Sequence, residues 1–206
     1  MKRLKKSFLF CTLAIFLFCS VANAKGLFGF DHRVTKDTGG IWHYHDNLPI
    51  YLGAAVIGSA ILEGSDNRFG KTMWQSVDAV VIAEAGTEVL KHATGRVRPS
   101  ETDNPNLWFQ GTSKHSFPAG HVASTAALVT PSILEYGKDH PWVYLLAVLP
   151  AYEMVARVKA QAHWQTDVLA GAAVGAVSGY FTHQFETPLL IQVLPKGFSV
   201  GLKVLF

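Results

Sequence analysis

The sequence predicts an all-α fold, one helical bundle, on three observations. Five apolar stretches of helix length are separated by Gly and Pro. The last carries closely spaced small residues, Gly171, Ala172, Gly175, Ala176 and Gly179, which let helices approach one another. The 206 residues are 49% hydrophobic, which suits a single domain with a substantial core.

Residues 1–24 read as a secretory signal. MKRLKK is a positive start, SFLFCTLAIFLFCSV an apolar run, and Ala22-Asn23-Ala24 offers small residues for cleavage. Retention as an uncleaved anchor is the competing reading, because the run is only slightly short of the roughly 18 residues that span a bilayer. Both cysteines, Cys11 and Cys19, lie in this segment, so the cleaved chain has no thiol for disulfide or nucleophilic chemistry. The expected organisation is a signal at 1–24 and one domain at 25–206, exported to the periplasm, with association to the inner membrane left open.

Residues 25–46 mix aromatic, glycine and charged residues without period and read as an irregular or partly helical arm. The helical stretches follow at Leu48 to Leu62, Trp74 to Ala93, Val122 to Tyr136, Trp142 to Arg157 and Trp164 to His183. Asp78, Glu84 and Glu88 in the second stretch and the break at Pro131 in the third favour a soluble or peripheral bundle over one embedded in lipid. In the tail, FSVGLKVLF alternates apolar and small or polar residues and reads as a strand or extended segment, docking on the core or touching a membrane.

The net charge is +3, and the cations form no stripe or basic tail, so nucleic acid is not expected as a partner. Outside the N-terminus they are scattered or sit within three spaced blocks, KHATGRVRP, FPAGH and ARVKAQAHWQTD. The blocks supply Lys91, Arg98 and Arg157 as fixed cations, His121 and His163 as imidazoles, and Asp167 as a carboxylate. That inventory can hold a phosphoryl group and attack it.

Lys91 is expected on the last turn of the second helix and Arg98 on the loop after Gly95, both pointing into one pocket. Arg brings a planar fork for two oxygens and Lys a compact charge. Gly120 precedes an apolar run and so falls at a helix N-terminus, where exposed N–H groups and the dipole favour an anion. His121 beside it is suited to acid–base work. His163 and Asp167 are four apart, so on a helix the carboxylate can accept a hydrogen bond from one ring nitrogen and aim the other. Arg157, six before His163, reaches the same site only if the backbone breaks between them, and Lys159-Ala160-Gln161 is the expected break.

In order and spacing the blocks resemble the type 2 phosphatidic acid phosphatase superfamily, which includes bacterial class A acid phosphatases, lipid phosphate phosphatases and vanadium-dependent haloperoxidases. The family pattern K-x6-R-P, P-S-G-H, S-R-x5-H-x3-D is matched at Lys91, Arg98, Pro99, Pro118, Gly120, His121, Arg157, His163 and Asp167. The resemblance implies His163 as the nucleophile that takes the phosphoryl group, Asp167 as its orienting partner and His121 as the acid for the leaving alcohol. Lys91, Arg98, Arg157 and the Gly120 N–H would bind phosphate oxygens, with no metal or cofactor required. The implied substrates are phosphomonoesters or pyrophosphates on small molecules or, preferentially, lipids, with Trp108, Phe109 and Phe117 placed to receive a lipid chain. Vanadium-dependent haloperoxidase chemistry, or phosphate binding with impaired turnover, are the alternatives.

Two positions depart from the pattern. Ala156 replaces the Ser before the third-block Arg, and Ala119 the Ser of P-S-G-H. A hydroxyl at 119 would be expected to hydrogen-bond a phosphate oxygen, and its loss to weaken the transition state by about 1–3 kcal/mol. Ser116, three residues earlier, is a candidate substitute. The run Trp42-His43-Tyr44-His45-Asp46 offers only a loose metal pattern, and an aromatic, polar lip near the pocket is expected instead. Oligomeric state is not legible.

Overall fold

The computed structural model describes residues 29–184 and, further on, the backbone of Leu189–Leu194 and Gly197–Leu202. The expected signal at 1–24 lies outside the described residues. Among these, five α-helices form a bundle: α1 (Leu48–Glu63), α2 (Arg68–Thr94), α3 (Gly120–Tyr136), α4 (Val148–Lys159) and α5 (Gln165–Gln184). The all-α expectation therefore holds for the bundle. Two 3₁₀ segments, Gly40–Asp46 and Pro141–Ala147, precede α1 and α4. No helix among the described residues is long and apolar enough to cross a membrane.

Boundaries follow local chemistry. α2 starts six residues before the expected Trp74 because Asn67 caps it, its side chain accepting from the Gly70 N–H at 2.7 Å. It ends where Gly95 adopts φ 47° and returns its N–H to the Lys91 carbonyl. A Cβ on Gly95 would lie 2.7 Å from the Gly111 carbonyl oxygen, so the loop crosses at a point that only glycine allows. The fourth stretch, expected as one helix, divides into a 3₁₀ segment and α4. Pro150 explains the division: it lacks an N–H and would clash with the carbonyl of Leu146 in a continuous α-helix, whereas in the first turn of α4 no such bond is needed.

α3 is the central helix, buried along most of its length against α2 and α5. Pro131 does not interrupt it. The approach of α5 is set by glycines at four-residue spacing. A Cβ on Gly171 would come within 2.4 Å of the Ala119 carbonyl oxygen, one on Gly175 within 2.2 Å of the Ala123 carbonyl oxygen, and one on Gly179 within 2.6 Å of Thr130. Alanines fill the facing seam, where Ala79 and Ala83 of α2 meet Ala123 and Ala127 of α3. Val56, Ala60, Met73 and Leu128 form the apolar core at the α1 side.

The C-terminal segment forms an antiparallel hairpin, β1 (Leu189–Leu194) with β2 (Gly197–Leu202), Leu189 opposite Leu202 and Leu194 opposite Gly197. The alternation read in FSVGLKVLF falls on β2 as far as Leu202, its last four residues lying outside the described residues, while the partner strand LLIQVL lacks a clear period.

Candidate active site

One end of the bundle gathers the three blocks. Lys91 comes from the last turn of α2, Arg98 from the loop after it, Gly120 and His121 from the first turn of α3, and Arg157 from the last turn of α4. His163 sits on the turn before α5, in the field of Arg157, Arg98 and Lys91. The backbone breaks where expected. Gln161 adopts φ 57°, Ala162 N–H returns to the Arg157 carbonyl at 3.1 Å, and Ser100 N–H donates to the Gln161 carbonyl at 3.0 Å. A left-handed non-glycine residue costs of order 1–3 kcal/mol, and it brings Arg157 and His163 to one face.

His163 is nearly enclosed, with 2% of its surface exposed. Its Nδ1 lies 2.6 Å from the Ser116 carbonyl oxygen. A carbonyl only accepts, so the proton resides on Nδ1 and Nε2 presents its lone pair. Burial, reinforced by Arg157, holds its pKa well below the usual imidazole range, keeping the ring neutral. This is the state a nitrogen nucleophile needs.

The expected direct bond from Asp167 to His163 is corrected. Asp167 Oδ2 stands 4.0 Å from His163 Nδ1, because His163 precedes the helix and helical spacing does not apply between them. Asp167 instead accepts from Ser116 Oγ at 2.6 Å, from the Trp164 N–H at 2.8 Å and from Arg96 Nη1. It thus fixes the residue whose carbonyl fixes His163. Burial pushes the Asp167 carboxyl up to about 6, against the pull of Arg96.

Arg96 is the residue that the sequence passed over. It is 1% exposed, and its guanidinium donates to Asp167, to Asp31 at 2.7 Å, to Thr166 Oγ1 at 2.8 Å and to the Pro105 carbonyl. The Trp108 ring covers it at 4.2 Å. Asp31 also accepts from Thr166 N and Oγ1, which ties the N-terminal arm beneath the site. Trp164, fully buried, donates from Nε1 to the Val97 carbonyl at 2.8 Å and so joins the third block to the first.

Ala119 is the second correction. It is fully buried in an apolar cluster with Val122 and Val168, and its N–H donates to the Asp167 carbonyl at 3.0 Å. Neither its methyl nor its amide is available to a phosphate oxygen. Ser116 does not substitute, since its hydroxyl is bonded to Asp167 and its side chain is inaccessible. Phe117 is likewise core, packed edge-on to Trp108 at 5.2 Å, whereas Phe109 is exposed.

The cations have their own partners. Lys91 Nζ donates to Glu88 at 2.7 Å and would sit 3.1 Å from a Cβ on Gly120, so glycine leaves room for the ammonium at the start of α3. Arg157 Nη1 donates to Asp46 at 2.6 Å and lies 3.1 Å from His45 Nδ1. Thus His45 and Asp46, in the run weighed as a metal pattern, serve a guanidinium. Trp42 stacks on Tyr152 at 5.6 Å beside them. Burial, with Arg157 next, lowers His121 to about 4, so it is neutral before an anion arrives.

The PAP2 superfamily profile matches residues 73–189, more than half of the chain. The chain belongs to the PAP2 superfamily. This PAP2 chain is 30% identical to the lipid A 1-phosphatase of Porphyromonas gingivalis over 118 residues, 57% of this chain and 24% of the relative. It is 27% identical to the undecaprenyl-diphosphatase of Sulfolobus acidocaldarius over 139 residues, 66% of this chain and 65% of the relative. It therefore spans about a quarter of the first relative's length and just under two thirds of the second's. No solved structure matches this PAP2 chain significantly.

Proposed function

We propose that the protein is an exported phosphatase that hydrolyses lipid phosphates or pyrophosphates through a phosphohistidine, without a metal. The observation that carries this reading is the neutral His163 with its proton on Nδ1, placed among Lys91, Arg98 and Arg157. Phosphoryl transfer depends chiefly on positioning and on stabilising the equatorial oxygens. In the proposed course the three cations and the N-terminus of α3 receive those oxygens, and His163 Nε2 forms a bond to phosphorus as the ester oxygen leaves. His121 protonates that oxygen. Since His121 is neutral in the empty site, the proton arrives with a monoanionic phosphoryl group or is taken up as the dianion reverses the local field. Water then cleaves the N–P bond, with His121 as base, releasing phosphate and restoring His163.

Lipid is favoured as the substrate class for two reasons. Both relatives are named for action on lipid-linked phosphates. Ile41, Tyr44, Ile50 and Tyr51 expose large apolar surfaces next to the segment that carries Asp46, which suits delivery from a lipid surface. Export rests on the 1–24 signal pattern alone. The test compares phosphate release from phosphatidate, undecaprenyl pyrophosphate and p-nitrophenyl phosphate by the wild type. A higher kcat/KM on the lipids is expected; equal, low rates on all three would remove the lipid assignment.

A further inference from the structure

Glu153 and Arg157 are one helical turn apart on α4, and both are buried. Glu153 is completely enclosed, and neither of its carboxylate oxygens has a hydrogen-bond partner among the described residues. Arg157 is held through Nη1 by Asp46, yet its Nε is also buried without a partner among the described residues. A buried carboxylate with no donor is costly as an ion and reverts to its neutral form. Burial pushes Glu153 up to about 7, with Arg157 opposing and Asp46 adding to the rise. No step proposed above uses Glu153.

We propose that Glu153 is a positioning residue for Arg157: its neutral carboxyl accepts the Arg157 Nε–H when the guanidinium turns from Asp46 to the phosphoryl oxygens. The inference rests on Arg157 as a phosphate ligand. A guanidinium that gives its terminal N–H groups to an oxyanion leaves Nε to be satisfied elsewhere. A neutral acceptor satisfies it without cancelling the cation. An ionised Glu153 would neutralise Arg157 and repel the incoming anion, so anion binding selects the protonated carboxyl.

The charged groups facing Glu153 are Arg157 from its own helix and Asp46 from the 3₁₀ segment. Around them stand Tyr152 on α4, His45 against Arg157, and His121 of α3, which interacts with Asp46. On α5, Asp167 is tied to Arg96 and Ser116, and on the second 3₁₀ segment Tyr144 is seated against Gly137. Glu153 is the group among these that burial carries to about 7.

Tungstate binding, followed by calorimetry on the full chain and on Glu153→Gln, tests the proposal at about pH 6 and about pH 8. Kept dilute enough to remain monomeric, tungstate is a tetrahedral dianion that does not titrate over that interval. The wild type is expected to lose up to about tenfold in affinity as the protonated fraction of Glu153 falls. Glu153→Gln, a neutral isostere, should lose the Glu153 share of this dependence and differ between the two pH values by clearly less than the wild type, any remainder belonging to His121 and Asp167. A variant that keeps the wild-type pH dependence, or a wild type that has none, overturns the proposal. If Glu153→Gln does not fold, His121→Gln, which lacks the imidazole that can itself take up a proton with the dianion, replaces it: binding near neutrality in two buffers of different ionisation enthalpy should still take up a fraction of a proton, and zero uptake refutes the role. Absence of tungstate binding removes Arg157 as an anion ligand and the proposal with it. Binding as predicted without any hydrolysis would sink the phosphatase reading and leave Glu153 in place.

Discussion

At position 119 the pattern of residue types and the position of atoms part company. The sequence matches a family block in which this residue is serine, and a missing hydroxyl reads as a missing phosphate contact. In the fold, Ala119 is the N-cap of α3, makes no side-chain cap bond and turns its methyl toward Val122 and Val168. Ala119→Ser is therefore expected to act on the helix rather than the reaction. It should stabilise the protein by about 0.5–2 kcal/mol in urea unfolding as a cap and leave kcat/KM within about threefold. A gain of tenfold or more would return position 119 to the phosphate site. The same lesson applies to Asp167, where four-residue spacing implied contact with His163 and the helix began two residues too late for it.

Among the elements, the five helices were legible because each apolar run is bounded by Gly or Pro, and Gly95 and Gly120 marked the ends that present Lys91 and the α3 dipole. What the runs concealed was set by single polar or cyclic residues: Asn67 drew α2 forward, and Pro150 divided the fourth stretch. The small-residue stripe on α5 was readable as close packing, and its consequence can be measured. Gly175→Ala places a methyl within 2.2 Å of the Ala123 carbonyl oxygen, so α3 and α5 must separate. A loss of about 1–3 kcal/mol in urea unfolding is expected; an unchanged midpoint and slope would mean that the helices are not held at this distance.

For the whole molecule, the site is the meeting of five chain segments at one end of the bundle, and its foundation is a buried knot. Arg96 joins Asp31, 65 residues away, to Asp167, 71 residues away. No local pattern encodes such a pairing, which is why Arg96 passed unnoticed between Lys91 and Arg98 although it is the most enclosed cation of the block. The knot fixes Asp167, Asp167 fixes Ser116, and the Ser116 carbonyl fixes the tautomer of His163. His163 Nε2 is therefore the atom proposed to bond to phosphorus. The direct measurement is an alkaline quench during turnover of phosphatidate labelled in its phosphoryl group, followed by peptide mapping, since phosphohistidine survives alkali and is lost in acid. Label on the peptide that contains His163, absent in His163→Ala together with turnover, is the predicted result; full turnover by His163→Ala, with no label on the wild type, would contradict it.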